Sequence, residues 1–390
     1  MMKTKKLYEQ DAFLKTMAAQ VLACEPYKNG YATVLSQTVF YPEGGGQPCD
    51  QGTLNGLFVH FVFVRDDIVY HVTEEPLTIG DTVQGEINWT RRFDFMQQHT
   101  GEHITTGQAF RLFGANNVGF HLSEQSVMLD VDKELDAKGI ATIEAAANRA
   151  IYENAPITAR YPSAQELNDM QFRSKPERLH TANIRIVEVE GYDCCACCGT
   201  HVLHAGQVGL IKIVDFQKHK GGTRITMVAG GRALADYTLR QTQTDEISAL
   251  LSAKTEKTAA AVKRILAEQE ETKAELSALK SSLITYKVKD IPITEALAFY
   301  HEPNLATDTL RRIALALMEQ TSGVCAVFSQ DEMANEPLYK YAVGSNTTDM
   351  RAFGKEMNAA LNGRGGGSKE LIQGSVQASL AEVEDYFKKL

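Results

Sequence analysis

The sequence predicts an α+β multidomain protein with four segments. These are a small N-terminal β-barrel over residues 1–90, an α+β metal-containing domain over 91–235, a helical or coiled-coil spacer over 236–287 and a compact α/β domain over 288–390. Three observations predict it. Short β-type runs broken by Gly, Asp and Asn turns fill the first ninety residues or so, without helical periodicity. From Asp236 to Lys287 the chain has no Pro or Gly and is rich in Ala, Glu, Lys, Gln and Leu. A chain of 390 residues with 44% hydrophobic content is too long for one ordinary core and has enough apolar side chains for two or three.

In order along the chain, TVLSQTVFY, LFVHFVFV, DIVYHV and TVQGEINW read as the barrel strands. From Arg91 to Gly114 the pattern turns helical, despite Gly101 and Gly107, and SVMLDV (126–131) reads as a strand. An amphipathic helix runs from Lys133 to Asn154, with Leu135, Ile140, Ile143 and Ala147 on one face, and Pro156 ends it. IRIVEVEG, VGLIKIVDF and GGTRITMVAG read as buried strands around a cysteine cluster. Val262, Ile265, Gln269, Thr272, Leu276, Leu279 and Leu283 alternate spacings of three and four, the stripe of a coiled coil or helical hairpin. Beyond Pro292, SGVCAVFSQ and YKYAVGS read as strands and SVQASLAEVEDYFKKL as a closing amphipathic helix.

Composition excludes some classes. No run of about eighteen apolar residues occurs, and MMKTKKLYEQ is not followed by the apolar core of a signal peptide, so a cytoplasmic location is expected. Four of the seven cysteines fall in Cys194–Cys198, a metal or reactive cluster of a reducing compartment rather than a disulfide framework. The net charge of −9 confines any nucleic-acid contact to local basic patches. KHKGGTR, with Lys218, Lys220 and Arg224, is the clearest of these, and a solvated hairpin tip is its plain alternative.

Two pairs carry the chemistry: His99 and His103 in QQHTGEH, and Cys197 and His201 in CCACCGTH. Each pair has the i, i+4 spacing that lets two ligands converge, and three imidazoles with one thiolate suit Zn²⁺ better than Mg²⁺ or Ca²⁺. One zinc per chain is expected. The choice of thiol stays open here, because Cys194 with Cys197 and Cys195 with Cys198 are overlapping CxxC pairs. HTGEH is also the HxxEH arrangement of a zinc metallopeptidase, with Glu102 as general base; that reading needs a downstream carboxylate ligand such as Glu188 or Glu190. Upstream, the FYPEGGGQPCDQG segment (40–52) is either a tight turn or a loop whose Gly44, Gly45 and Gly46 bring backbone amides to a ligand beside Gln47. NGRGGGS (362–368), with Arg364 and the following Lys369, is either a flexible link or a phosphate nest.

FYPEGGGQP, HTGEH, CGTH and NGRGGGS, in this order, resemble the editing domain of alanyl-tRNA synthetases and its free-standing relatives, the AlaX alanyl-tRNA editing proteins. The glycine-rich signature near the end resembles the DHHA1 domain of the long type, and the resemblance covers nearly the whole chain. It implies an aminoacyl-tRNA deacylase, a carboxylic ester hydrolase that removes serine, or glycine, from mischarged alanine tRNA in a zinc-containing pocket. With the editing loop only about forty residues in, no aminoacylation core is expected. The resemblance favours Cys197 as the thiolate ligand. Cys198 departs from the glycine common in the synthetases, leaving a second thiol beside the metal. It also implies that Gly44, Gly45, Gly46 and Gln47 line the pocket near the terminal adenosine of the tRNA. It places the serine selector near Val118–Ser123, with His121 the first candidate and Glu102 nearby. Lys218, Lys220, Arg224, Arg364 and Lys369 become expected tRNA contacts, and the spacer or C-terminal domain an expected homodimer seam.

Overall fold

The computed structural model describes residues 4–174, 184–330 and 338–390. Within these the first sheet has seven antiparallel strands: β1 (Thr16–Tyr27), β2 (Gly30–Leu35), β3 (Gly52–Leu54), β4 (Leu57–Val59), β5 (Phe61–Arg65), β6 (Ile68–Thr73) and β7 (Thr82–Ile87). They lie in the order β4-β3-β7-β1-β2-β6-β5. The two end strands are neighbours in sequence, separated only by His60, so the sheet curls into a near-barrel. Strict alternation gives the sheet one core face: Met17, Ala19 and Val21 on β1 and Val83, Gly85 and Ile87 on β7 face the core, while Thr16, Ala18 and Gln20 face out. β1, the longest strand, lies outside the runs read from sequence. Its second half, LACEPY, loses the alternation, and a bulge between Val21 and Ala23 shifts its register.

Asn88 caps the next element, accepting from Arg91 N at 3.1 Å, and helix α1 (Trp89–Phe113) ends at Gly114 in the left-handed conformation, φ 62°. Its two internal glycines have a packing reason. A Cβ on Gly101 would stand 3.1 Å from Ala229 Cβ, and one on Gly107 would stand 2.7 Å from Asp193 Cβ, so both admit neighbouring strands to the helix. Those strands belong to two sheets. One is built from β8 (Asn117–Leu122), β9 (Val127–Val131), and the hairpin β13 (Ile211–His219) and β14 (Gly222–Ala229), in the order β8-β9-β14-β13; the other is β10 (Ile157–Arg160), β11 (Ile186–Val189) and β12 (Asp193–Ala196). Helix α2 (Ala137–Tyr152), capped by Asp136, buries Ile140, Ile143, Ala147 and Ile151 in the same core as α1.

Helix α3 (Gly230–Leu250) follows, and the chain divides into two compact units after Glu246. The stretch expected as one spacer is two helices, since Ser252 takes a left-handed φ of 46° and α4 (Thr258–Lys289) starts afresh. Val262, Ile265, Leu276, Leu279 and Leu283 of the expected stripe are exposed; α4 buries Ala261, Ile284 and Val288 instead. In the second unit β15 (Leu297–His301), α5 (Thr307–Met318), β16 (Val324–Gln330), β17 (Tyr339–Gly344), α6 (Met350–Ala360), β18 (Gly363–Gly367), β19 (Leu371–Val376) and α7 (Leu380–Phe387) form a five-stranded sheet in the order β15-β16-β17-β19-β18. Phe328 and Tyr341 pack against α6 and α7 on one face, while Val327 and Ala342 pack against α5 and the end of α4 on the other.

Two expectations change here. The glycine-rich segment is strand β18, paired with β19, and extended backbone turns successive N–H groups to opposite sides, so no nest forms. Its glycines serve the sheet: a Cβ on Gly365 would stand 2.4 Å from the Tyr341 hydroxyl. The closing helix is also shorter, because Ser375 and Val376 continue the β-ladder and the helix begins only at Leu380, where Ser379 and Glu382 form a capping box. Among the described residues no helix is long and apolar enough to cross a membrane.

Candidate metal centre and its cavity

Helix periodicity stacks His99 and His103 one turn apart on the buried face of α1, with ring centroids 5.2 Å apart. Cys197 and His201 come from the loop that leaves β12. Cys197 Sγ lies 3.5 Å from His99 Nε2 and 3.4 Å from His201 Nε2, and one donor atom from each of the four residues falls within 4.8 Å of the others. All four side chains are buried.

Each imidazole is held from behind. His99 Nδ1 meets Gln47 Oε1 at 2.8 Å, His201 Nδ1 meets Thr100 Oγ1 at 3.2 Å, and His103 Nδ1 meets Asp193 Oδ2 at 3.2 Å. Such partners fix ring orientation and leave the other nitrogen to a metal. Burial favours the neutral Cys197 thiol, but the adjacent His99 and His103 outweigh it and hold the group well below the usual thiol range. Burial pushes Cys194 and Cys195 up to about 11. The thiol that prefers the anionic state is therefore the one facing the imidazoles. Three imidazoles and one thiolate, anchored and converging, form a donor set that fits Zn²⁺.

The glycine loop sits against this cluster. Gly44 and Gln47 exchange backbone hydrogen bonds at 3.1 and 3.0 Å across Gly45 (φ 60°) and Gly46 (φ 87°), a two-residue turn that needs positive φ at both centres. The turn presents Gly45 and Gly46 to the cavity and packs Gly46 on Phe120, which stacks on His99 at 5.2 Å. Gln47 points the other way. It is buried, donating from Nε2 to Thr200 Oγ1 at 2.8 Å while Oε1 faces His99 and accepts from Thr200 N at 3.2 Å. Expected as a pocket residue, Gln47 instead braces the metal ligand.

A cavity of about 1090 Å³ opens beside the cluster, lined among others by Gly45, Gly46, His99, Glu102, Asn117 and Arg173. Glu102 Oε1 accepts from Asn117 Nδ2 at 2.7 Å and Thr106 Oγ1 at 3.0 Å. Arg173 donates to both oxygens of Asp193, at 2.7 and 2.9 Å, and to Thr106 Oγ1 at 2.8 Å. Burial alone would raise the Asp193 carboxyl, but Arg173 holds it below its ordinary value. Thr106, Asn117, Arg173 and Asp193 were missed in the sequence. Asp193 stands four residues before Cys197, yet nothing in DCCAC marks it as a partner of His103 until β12 pairs with β11.

His121 does not reach this cavity. The bulge between Asn117 and Gly119 on β8 puts Asn117 and Phe120 on the inner side with Leu129 and Val131, and turns His121 outward opposite Met128, where it is exposed. The carboxylates required by the peptidase arrangement do not join the ligands: Glu190 is exposed, and Glu188, though it lines the cavity, is likewise outside the four-residue cluster. The basic hairpin is largely neutralised. Arg224 pairs with both Asp130 oxygens at 2.7 and 2.8 Å, Lys218 pairs with Glu134 at 2.7 Å, and Lys220 occupies the turn with φ 48°. Arg364 and Lys369 are exposed in the second unit.

Residues 184–226 match the family model of the second additional domain of threonyl and alanyl tRNA synthetases, and residues 5–91 match that of class II (A) tRNA synthetases. The alanyl-tRNA editing protein Aarsd1 of Mus musculus is 27% identical over 388 residues, covering 94% of this chain and 93% of the relative. This chain is AlaX-like, similar along nearly its whole length to alanyl-tRNA editing proteins. The alanine–tRNA ligase of Pyrococcus abyssi is 30% identical over 399 residues, 96% of this chain but 42% of the ligase. Among solved structures, the C-Ala domain from Aquifex aeolicus alanyl-tRNA synthetase covers 25% of this chain and 96% of its own, at 18% identity and a TM-score of 0.21, too low to bear on the fold.

Proposed function

We propose that the protein edits in trans, hydrolysing the ester that joins a wrong amino acid, serine or glycine, to the 3′ end of alanine tRNA. A charging pocket shaped for alanine cannot strongly reject serine or the smaller glycine, so a separate site that removes the product has a clear task. The observation that carries the reading is the buried cluster of His99, His103, Cys197 and His201 in the wall of a cavity roughed out by glycines, in a chain similar along its length to alanyl-tRNA editing proteins.

Zn²⁺ bound by the four residues would supply positive charge to hold and polarise the aminoacyl end. The chain's own groups do the rest. Gly45 and Gly46 keep side chains away from that end and bring backbone to it, and Phe120 closes the wall behind His99. Glu102, Asn117 and Arg173 give polar surface where the acyl group would lie. The cavity is much larger than the acyl group: at roughly 30 Å³ per water, a seryl group matches only about three waters. The terminal nucleoside of the tRNA would fill much of the remainder.

The second unit is a DHHA1-like module for tRNA contact through Arg364 and Lys369, with the helical stretch as spacer and its exposed stripe as a homodimer seam. Lys218, Lys220 and Arg224 are secondary contacts, since carboxylates already engage two of them. The setting is the cytoplasm, where its tRNA substrate is found.

Deacylation assays with seryl-, glycyl- and alanyl-tRNA of the alanine type test the reading. The seryl ester should be cleaved roughly tenfold to more than a hundredfold faster than alanyl-tRNA, the range that one buried polar group satisfied by the serine hydroxyl and left unpaired by alanine supports. Unstructured peptides should remain intact. Peptide cleavage abolished by Glu102→Gln, with every aminoacyl-tRNA untouched, would replace this reading with a metallopeptidase.

A further inference from the structure

Glu102 poses a problem of charge. Its side chain is 4% exposed, it stands between two metal ligands on one helix face, and its Oε1 receives only neutral donors, Asn117 Nδ2 and Thr106 Oγ1. Among the described residues no lysine, arginine or histidine forms an ion pair with it. The nearby Arg173 is committed to Asp193 through two hydrogen bonds. A carboxylate removed from water with only neutral hydrogen-bond donors is poorly compensated, since Arg173 acts on it through space alone, and this one lines the cavity. The wall's other carboxylates are settled, because Asp193 has Arg173 and His103, and Glu188 is half-buried and open to water.

We propose that Glu102 is the seat of the substrate's α-ammonium group, a cation carried by every aminoacyl ester. The inference rests on the deacylase reading above and names the recognition element within it. Helix spacing supports it, since residues 99, 102, 103 and 106 share one face at i, i+3, i+4 and i+7. An ester carbonyl lodged beside the imidazoles has its α-nitrogen only two bonds away, within reach of a carboxylate on that face. The serine hydroxyl is the weaker occupant. It brings no charge and would add only one more neutral donor to the buried carboxylate. Glu102 therefore fixes the aminoacyl end for serine, glycine and alanine alike, and discrimination among them lies with other groups.

The test uses the zinc-loaded full chain and alanine tRNA carrying either a seryl ester or its neutral isostere, a glyceroyl ester with hydroxyl in place of ammonium. Glu102→Gln should lower kcat/KM for the seryl ester by roughly tenfold to a hundredfold, the worth of a charged hydrogen bond. It should leave the glyceroyl ester within about twofold of wild type and the zinc content unchanged. Equal losses on both esters, or no loss on either, would overturn the proposal. A binding measurement separates it from failure of the deacylase reading. Seryl and glyceroyl amides of 3′-amino-3′-deoxyadenosine are not ester substrates, and wild type should bind the seryl amide more tightly, a preference that Glu102→Gln removes. Wild type binding both amides equally would sink the α-ammonium site whatever the hydrolysis assays give.

Discussion

The tightest constraint on the metal centre is a missing side chain. A Cβ on Gly199 would stand 2.2 Å from His99 Cε1 and 3.0 Å from Gln47 Oε1, so Gly199→Ala should displace His99 and sharply reduce bound zinc, read by metal analysis of the purified protein. Retention of one zinc per chain would contradict that packing. Gln47→Ala should act more gently. It removes the partner of His99 Nδ1, which predicts roughly tenfold to a hundredfold weaker zinc in chelator competition without loss of the fold. Cys197→Ala should lose zinc while Cys195→Ala keeps it, because the Cys197 sulfur is the one between His99 and His201. His121→Ala should leave the preference for serine over alanine unmoved; a narrowed preference would return that residue to the site. Ligand spacing made His99, His103, Cys197 and His201 legible in the sequence, since i, i+4 pairs are local geometry. The role of Gln47 was not legible, because the direction of its side chain is set by a turn that closes only against Thr200, and His121 was misplaced by one residue of bulge that flips the face of β8.

At the scale of elements, α1 organises both edges of the site. Its buried Arg92 donates to both oxygens of Asp50, to Ala12 O at 2.8 Å and to Val39 O at 2.5 Å, while Asp50 Oδ2 accepts from Tyr41 N at 2.6 Å. One helix thus grips the glycine loop at its two ends through Arg92 and, two turns later, at its tip through His99 and Gln47. Arg92→Met leaves Asp50 buried and unpaired, with an expected loss of about 3 to 5 kcal/mol in denaturant unfolding; a loss below about 1 kcal/mol would show that the pair can be relaxed around. The barrel carries a titrating counterpart. His71 on β6 is fully buried, with Nδ1 3.1 Å from Thr33 O and Nε2 2.7 Å from Thr38 Oγ1, and burial lowers it from 6.5 to about 4 despite the Thr33 bond. The unfolded chain takes up the proton first. Stability from the neutral imidazole is therefore full above pH 6.5 and lost progressively as pH falls towards about 4, about 3 kcal/mol in all. Zinc release also weakens the protein in acid, so the measurement is the difference in unfolding midpoint between wild type and His71→Gln across that window. Parallel pH profiles for the two would remove His71 as the cause. The strands on either side were legible from alternation, but a polar His in DIVYHV gave no sign of facing the core, since Thr33 and Thr38 reach it only once β2 and β6 pair.

At the scale of the molecule, the division after Glu246 separates two sets of cores. The near-barrel core around Phe40 and Leu54 and the α1–α2 core around Ile104 and Ile143 lie in the first unit, and the two cores flanking the five-stranded sheet lie in the second. All four metal-cluster residues and the whole cavity wall belong to the first unit. The sequence showed that a helical stretch joins two globular parts, but its unbroken Pro- and Gly-free composition hid the turn at Ser252, where a non-glycine residue takes positive φ. The stripe at three-four spacing was visible as a pattern, whereas in the structure its Val262, Ile265, Leu276, Leu279 and Leu283 are exposed on α4, so its partner is not within that helix's own packing. A chain ended after Glu246 should therefore fold, carry one zinc and deacylate a minimal substrate such as seryl-adenosine at the full-length rate. On seryl-tRNA the same fragment should show a raised KM with kcat preserved if the missing unit supplies the proposed phosphate contacts, since the cavity wall and the metal cluster lie outside it. In the full chain, Arg364→Ala should raise that KM modestly and lower the slope of log affinity against log salt by about one unit. A fragment with unchanged KM on tRNA would assign the second unit no part in binding. One that loses kcat on seryl-adenosine while keeping its zinc would instead place part of the reaction chemistry beyond Glu246.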